Sequence, residues 1–310
     1  MLNDAFLTLR GNLELTDTFG DTISQRHNAV RSAIENLGRS DIETKLIGSL
    51  QRQTRVHPRQ GDVFDIDVLV VLGSFYNWLH PGDPTGITPQ MAMDSAHSLV
   101  GESDRYSAMN PQQDHPTVTF SYADDVKVEL VPAYKDKIGR SPAGVPHTPV
   151  DRGYWVPNSS GGWDFADYDY DAAYVSAVNK NSSGLFIPLV KMLKAIKRTH
   201  FPAMKSYHLE VVAANVVPGI LADFQRRNVA LTYPNLVAAF LHGSDNHLFI
   251  PLTLPGSNSP AVEPDPLAKV QIADVLTSLK ERSKQALLSG GDTEKQRVWR
   301  EIFGDAMPAI

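Results

Sequence analysis

GDVFDIDVLVVL, residues 61–72, sets two aspartates one residue apart at the head of a run of β-branched and aliphatic residues. The run from Val68 to Leu72 has the length of a buried strand and falls far short of a membrane span. Side chains alternate along a strand, so Phe64, Ile66 and Val68 face a core while Asp65 and Asp67 share the other face, their Cα atoms roughly 6.5–7 Å apart. Uncompensated carboxylates at that spacing repel, and a divalent cation is their simplest neutraliser. Hard oxygen donors select Mg²⁺ or Mn²⁺. The pair alone fits a salt-bridged strand edge equally well, so its surroundings have to decide.

Downstream, PTVTFSYADDVKVELVPAY (116–134) alternates on both sides of ADD, the pattern of a β-hairpin. Val126, Val128 and Leu130 take one face of its second strand; Lys127, Glu129 and Val131 take the other. If that strand lies beside the first, about 4.8 Å away, Glu129 joins the two aspartates. Three carboxylates on neighbouring strands suit two metal ions about 3.5–4 Å apart, which points to nucleotidyl transfer. Upstream, IGSLQRQT places Gly48 and Ser49 at the start of a helix, where backbone N–H groups and a hydroxyl can meet a triphosphate. The dipeptide recurs at Gly73-Ser74, Gly243-Ser244 and Gly256-Ser257, so only its combination with the following aspartates carries weight. A second acidic series, Asp167, Asp169 and Asp171, lacks an apolar strand behind it and reads as a loop that caps a helix.

A chain of 310 residues with 42% apolar and 21% charged residues is expected to form one large domain or two closely packed ones. It has no cysteine, which excludes disulfides, thiol catalysis and Cys-ligated zinc. A net charge of -6 argues against extended nucleic-acid binding, which depends on an excess of Lys and Arg. The first residues carry acidic groups and no basic run of the kind that opens a signal peptide, so the expectation is a cytoplasmic protein with no membrane attachment.

Along the chain, Ile23, Val30, Ile34 and Leu37 predict a first helix over about 17–37. Thr88 and Pro89 read as cap and first residue of a helix reaching about Val100. Residues 140–170, rich in Pro, Gly, Ser and Tyr, read as a long ordered loop in which Trp155 and Trp163 have packing as their default role and a base-facing position as the alternative. From Ala172 onward the chain is mostly helical. Lys191, Lys194 and Arg198 form a basic stripe opposite Leu189, Leu193 and Ile196, able to face a triphosphate, whereas Lys197 is assigned to solvent. Ser206 reads as an N-cap, itself an anion-binding position. His242 and His247 belong to a turn. The expected architecture is α+β: a core over 1–150 with its long first helix, then a mainly helical, nucleotide-gripping domain over 151–310.

GSLQRQT, FDIDVLVVL and VKVELVPAY, in that order, resemble the active-site signature of the polymerase-β-like nucleotidyltransferases. LVKMLKAIKRTHFPAMKSYHLEVVA and YWVPNSSGGWDF are similar to the helix, loop and helix and to the linking segment of the CD-NTases, the cyclic GMP-AMP synthase and DncV-like enzymes that make cyclic oligonucleotide signals in antiphage defence. The resemblance runs through nearly the whole chain and implies a bilobal protein, a mixed sheet with helices packed against an oligoadenylate-synthase-like helical domain, with a central cleft. It implies that Asp65, Asp67 and Glu129 bind Mg²⁺ (or Mn²⁺) and catalyse, and that Gly48, Ser49, Lys194, Ser206 and Tyr207 bind nucleotide, Tyr207 by stacking on a base. The family usually has Asp where this chain has Glu129, which leaves metal spacing and full activity open.

The substrates implied are nucleoside triphosphates, ATP among them, and the product a cyclic di- or trinucleotide. Linear oligonucleotide synthesis or RNA extension, and a weakly active nucleotide-binding regulator, are the competing readings. The bases used and the trigger are not legible: a regulatory protein partner, an infection signal or constitutive synthesis each fits.

Overall fold

The structure is a computed structural model and describes residues 2–37, 41–75, 86–137, 153–255 and 266–309, with 39, 257 and 264. Its first elements are helix α1 (Leu2–Leu13), helix α2 (Asp17–Glu35), strand β1 (Glu43–Leu46), the one-turn helix α3 (Gly48–Gln51) and strand β2 (Phe64–Phe75). Helices α4 (Pro89–Gly101) and α5 (Asp104–Ser107) precede strands β3 (Gln112–Asp114), β4 (Thr117–Ser121), β5 (Val126–Asp136), β6 (Tyr154–Pro157) and β7 (Trp163–Ala166). Helices α6 (Tyr168–Asn181), α7 (Phe186–His200), α8 (Ser206–Arg226), α9 (Tyr233–Gly243), α10 (Pro266–Leu288) and α11 (Asp292–Phe303) follow.

The chain forms two compact units. The sheet unit comprises Thr16–Arg52 and Pro58–Ala172; the helical unit comprises Met1–Leu15, Gln53–His57 and Ala173–Ile310. A division at residue 150 therefore does not describe the packing. Strands β6 and β7 extend the sheet from β5, which carries the sheet unit on to residue 172, and α1 belongs to the helical unit.

In the sheet unit the strand order is β1-β2-β5-β4-β3, with β6 on β5 and β7 on β6. Strands β2 and β5 run parallel and every other pair is antiparallel. A parallel pair needs a long crossover, which here contains α4, α5, β3 and β4. Val68, Leu69, Val70 and Val71 are buried on both faces of the sheet, the reason this stretch is apolar without alternation. Closer to its start, β2 does alternate: Phe64 and Ile66 are buried, Asp65 and Asp67 half-buried. Helix α2 lies on the Phe64 side, burying Ile23, Val30 and Ile34, with Phe19 edge-on to Phe64 at 5.0 Å. The Thr88 hydroxyl accepts from the Met91 N–H at 3.2 Å with Pro89 in the first turn, as the sequence predicts.

The expected long loop over 140–170 is corrected at its described end. Residues 153–166 form the β6–β7 hairpin, with Trp155 and Trp163 in its strands; residues 138–152 lie outside the described set. Tyr154, Val156, Phe165 and Ala166 are buried, and the Asn158 side-chain oxygen accepts from the Ser160 and Gly162 N–H groups to close the turn. Trp163 packs edge-on against Phe75 and Tyr134, 5.3 and 5.9 Å between ring centres.

The helical unit has one continuous apolar core drawn from α1 and α6 to α11. Phe6 of α1 stands edge-on to Trp299 and Phe303 of α11, at 5.2 and 5.7 Å. Among the described residues no helix is long and apolar enough to cross a membrane.

Candidate functional site

Strand β2 and strand β5 align residue for residue at their starts: Asp65 lies beside Lys127 and Asp67 beside Glu129. Parallel neighbours in register put their side chains on the same face, so Asp65, Asp67, Lys127 and Glu129 share one surface, each of them half-buried. The three acids singled out from the sequence thus lie on one face of the sheet unit. The Ile47 N–H donates to the Asp67 carbonyl at 3.0 Å, which ties the chain entering α3 to the same point of β2.

Gly48 then passes close over the Asp67 side chain. Its φ is +72°, and a Cβ at that position would stand 2.0 Å from Asp67 Oδ2. Only glycine permits both this backbone conformation and this approach. Ser49 follows, half-buried, in the first turn of α3. Tyr168 of α6 is held upward in pKa by burial of its hydroxyl and then by the Asp67 carboxylate, with Arg52 opposing. Tyr168 therefore senses the opposed charges of Asp67 and the buried Arg52.

The donor set is chemically suited to a hard divalent cation: carboxylates only, in a chain without cysteine. Among the described residues no three acidic or imidazole groups already stand close enough to form a cation site. Glu129 is engaged within its own strand, its Oε1 lying 2.8 Å from the Lys127 ammonium. Burial draws the Lys127 pKa down, but the Glu129 and then the Asp114 carboxylates outweigh it, and the net shift is upward. Lys127 was legible as a member of this face from the alternation of VKVELV, yet only the structure shows its partner.

The helical unit treats its predicted residues differently. Lys194 is buried and its ammonium lies 2.7 Å from Glu210 Oε1, while it donates to the Thr54 carbonyl at 3.0 Å. Thr54 in turn donates to Glu210 Oε2 at 2.9 Å. Lys191 pairs with Glu14, and Arg198 donates to the His57 carbonyl at 3.1 Å. The stripe expected to face a triphosphate is thus turned onto the end of α1 and the 53–57 segment, and Lys197, expected in solvent, is half-buried, its pKa lowered by burial and then by Arg198. Ser206 is the first residue of α8 rather than its cap, which is Lys205, and it is exposed. Tyr207 packs its ring against the helical core. A separate cleft of about 420 Å³ on the sheet unit is lined by Lys45, Lys135, Lys137, Tyr154 and Asp169, with none of the predicted site residues.

Residues 1–164 match the Second Messenger Oligonucleotide or Dinucleotide Synthetase (SMODS) domain. The chain belongs to the SMODS family. Over 98% of its length and 84% of the relative's, it is 22% identical to a cyclic AMP-AMP-AMP synthase of Acinetobacter sp. (strain ATCC 27244 / 9458). Its fold is that of Escherichia coli MS115-1 CdnC bound to ATP, with a TM-score of 0.70, 14% identity and 99% of each chain covered. The same protein in its HORMA-deltaN complex gives a TM-score of 0.69 at 15% identity, covering 97% of this chain and 96% of that one. The CD-NTase resemblance and the α+β fold with its mixed sheet expected from the sequence are borne out by these matches.

Proposed function

We propose that this SMODS protein synthesises a cyclic oligonucleotide second messenger, a cyclic di- or trinucleotide, from nucleoside triphosphates in antiphage signalling. The observation that carries the reading is the placement of Asp65, Asp67 and Glu129 on one face of two parallel strands in register, with the Gly48 backbone against Asp67. In each step a ribose hydroxyl of one nucleotide attacks the α-phosphorus of another. A new O–P bond forms as the bond to pyrophosphate breaks, and the hydroxyl hydrogen is lost as a proton. Mg²⁺, or Mn²⁺ in its place, would be held by Asp65, Asp67 and Glu129 and would supply charge neutralisation to the phosphates and acidify the attacking hydroxyl.

The residues of the chain contribute position. Gly48 and Ser49 offer backbone N–H groups and a hydroxyl to the triphosphate. The aspartates are fixed by a strand that is buried on its other face, so their spacing does not depend on a loop. Lys194, Ser206 and Tyr207 are the nucleotide-binding residues of the helical unit in this reading, and Ser206 is the one that is already exposed. Because CdnC is found with a HORMA protein, a regulatory protein partner is part of the proposal.

The test is incubation of the purified protein with labelled ribonucleoside triphosphates and Mg²⁺ or Mn²⁺, followed by phosphatase. A product that resists phosphatase, lacks free ends and disappears in D65A and D67A is the expected result. Products with free ends, extension of added RNA, or nucleotide binding without turnover would each replace the proposal by a different one.

A further inference from the structure

The acid face carries its own cation. Lys127 sits two residues before Glu129 on the same side of β5, beside Asp65 across the β2–β5 register. Its ammonium is 2.8 Å from Glu129 Oε1 and also 3.4 Å from Asp114 Oδ2, at the end of β3. Glu129 is thus neutralised from within the strand, and a second acceptor for the same ammonium is already within reach. Asp114 is two-thirds exposed and lies outside the proposed catalytic group.

We propose that Lys127 is a tethered counter-ion that a divalent cation must displace: in the metal-free protein it holds Glu129, and when the cation arrives it passes to Asp114. The inference rests on the reading of Asp65, Asp67 and Glu129 as the cation ligands. Two carboxylates compete for one ammonium, so Asp114 favours release of Glu129 and Lys127 opposes its capture by metal. Lys127 then sets the divalent concentration at which the site fills. It also keeps three acids folded together without metal, since one of them is always paired.

The two partners of Lys127 make opposite predictions. K127Q frees Glu129 and tightens metal binding; D114N removes the alternative acceptor, confines Lys127 to Glu129 and weakens it. A residue that served only to hold the strand together would move both in the same direction. The ion pair is partly exposed, so each change is about fivefold in affinity, the scale of a single solvent-accessible pair.

Mn²⁺ binding to the full chain without nucleotide, read from the loss of the free-ion electron paramagnetic resonance signal, tests this, with D65N/D67N as control and thermal unfolding in chelator to confirm that each variant is folded. Tighter binding by K127Q together with weaker binding by D114N supports the counter-ion. Binding that D65N/D67N abolishes but that K127Q and D114N leave within twofold overturns it while leaving the acids as ligands, as does weaker binding by K127Q. Binding that survives D65N/D67N overturns the assignment of the ligands and the counter-ion with it. Absence of Mn²⁺ binding in both the unmodified protein and K127Q overturns the counter-ion as well.

Discussion

Replacing Gly48 by alanine would put a methyl carbon 2.0 Å from Asp67 Oδ2 and 2.9 Å from its Cγ, at a backbone φ of +72°. The two consequences are separable. A non-glycine residue in the left-handed region costs about 1–2 kcal/mol, which for a chain of 310 residues lowers the unfolding temperature by roughly 1.5–3 °C. The clash is with the end of a side chain, so the carboxylate can turn away at little further cost in stability. To reach ordinary contact distance of 3.4 Å, however, Oδ2 must retreat by about 1.4 Å (3.4 minus 2.0). A misplacement of about 1 Å in a reacting group costs on the order of a hundredfold in rate. G48A is therefore expected to remain folded, with a modestly lowered melting temperature, and to lose about two orders of magnitude in cyclic product formed from labelled triphosphates. Activity within about threefold of the unmodified protein would refute the argument. So would a loss of activity fully accounted for by unfolding.

Two further predictions concern buried charge. K194M or E210Q leaves one member of the buried pair without its partner and should cost about 3–5 kcal/mol in denaturant unfolding, whereas K194M/E210L should recover most of that loss; equal destabilisation by the single and double variants would show that the pair is not what these residues contribute. His27 on α2 has its pKa lowered, first by burial and then by the neighbouring Arg31. As pH falls through the ordinary value of 6.5 the unfolded chain takes up a proton that the folded chain resists, so this residue withdraws stability from about pH 6.5 downward until its own folded pKa is passed. H27Q should lose less in melting temperature than the unmodified protein between pH 7.5 and 5.5, and equal losses would contradict the assignment.

The parts of the fold that the sequence declares are those with a long, uninterrupted period. Alternation in FDID and VKVEL placed Asp65, Asp67, Lys127 and Glu129 on one face, and the structure adds the parallel register that sets them side by side. Helix α2 was legible from the apolar stripe of Ile23, Val30 and Ile34, and α4 from the Thr88 cap followed by Pro89. Strands β6 and β7 were not, since four residues apiece between Pro, Gly and Ser are too few to establish a period. Helix α1 was missed, the first helix being expected only at about residue 17, and nothing local says that the partners of Phe6 are Trp299 and Phe303. Lys194 shows the same limit from the other side. An amphipathic pattern identifies the polar face of α7, yet Glu210 and Thr54, which cover that lysine, come from α8 and from a segment 140 residues earlier.

The pairing of α1 with α11 also bears on how the chain is made. Phe6 and Trp299 share one core although they stand at opposite ends of the chain, 293 positions apart (299 minus 6). Phe6 must wait for Trp299 and Phe303 until synthesis has passed residue 303. Ordering by synthesis favours the sheet unit, whose strands are complete by residue 166, as the first to settle. The helical unit closes late and over a long loop, a slow step by topology alone. A chain that stops short of residue 299 leaves Phe6 without this aromatic cover.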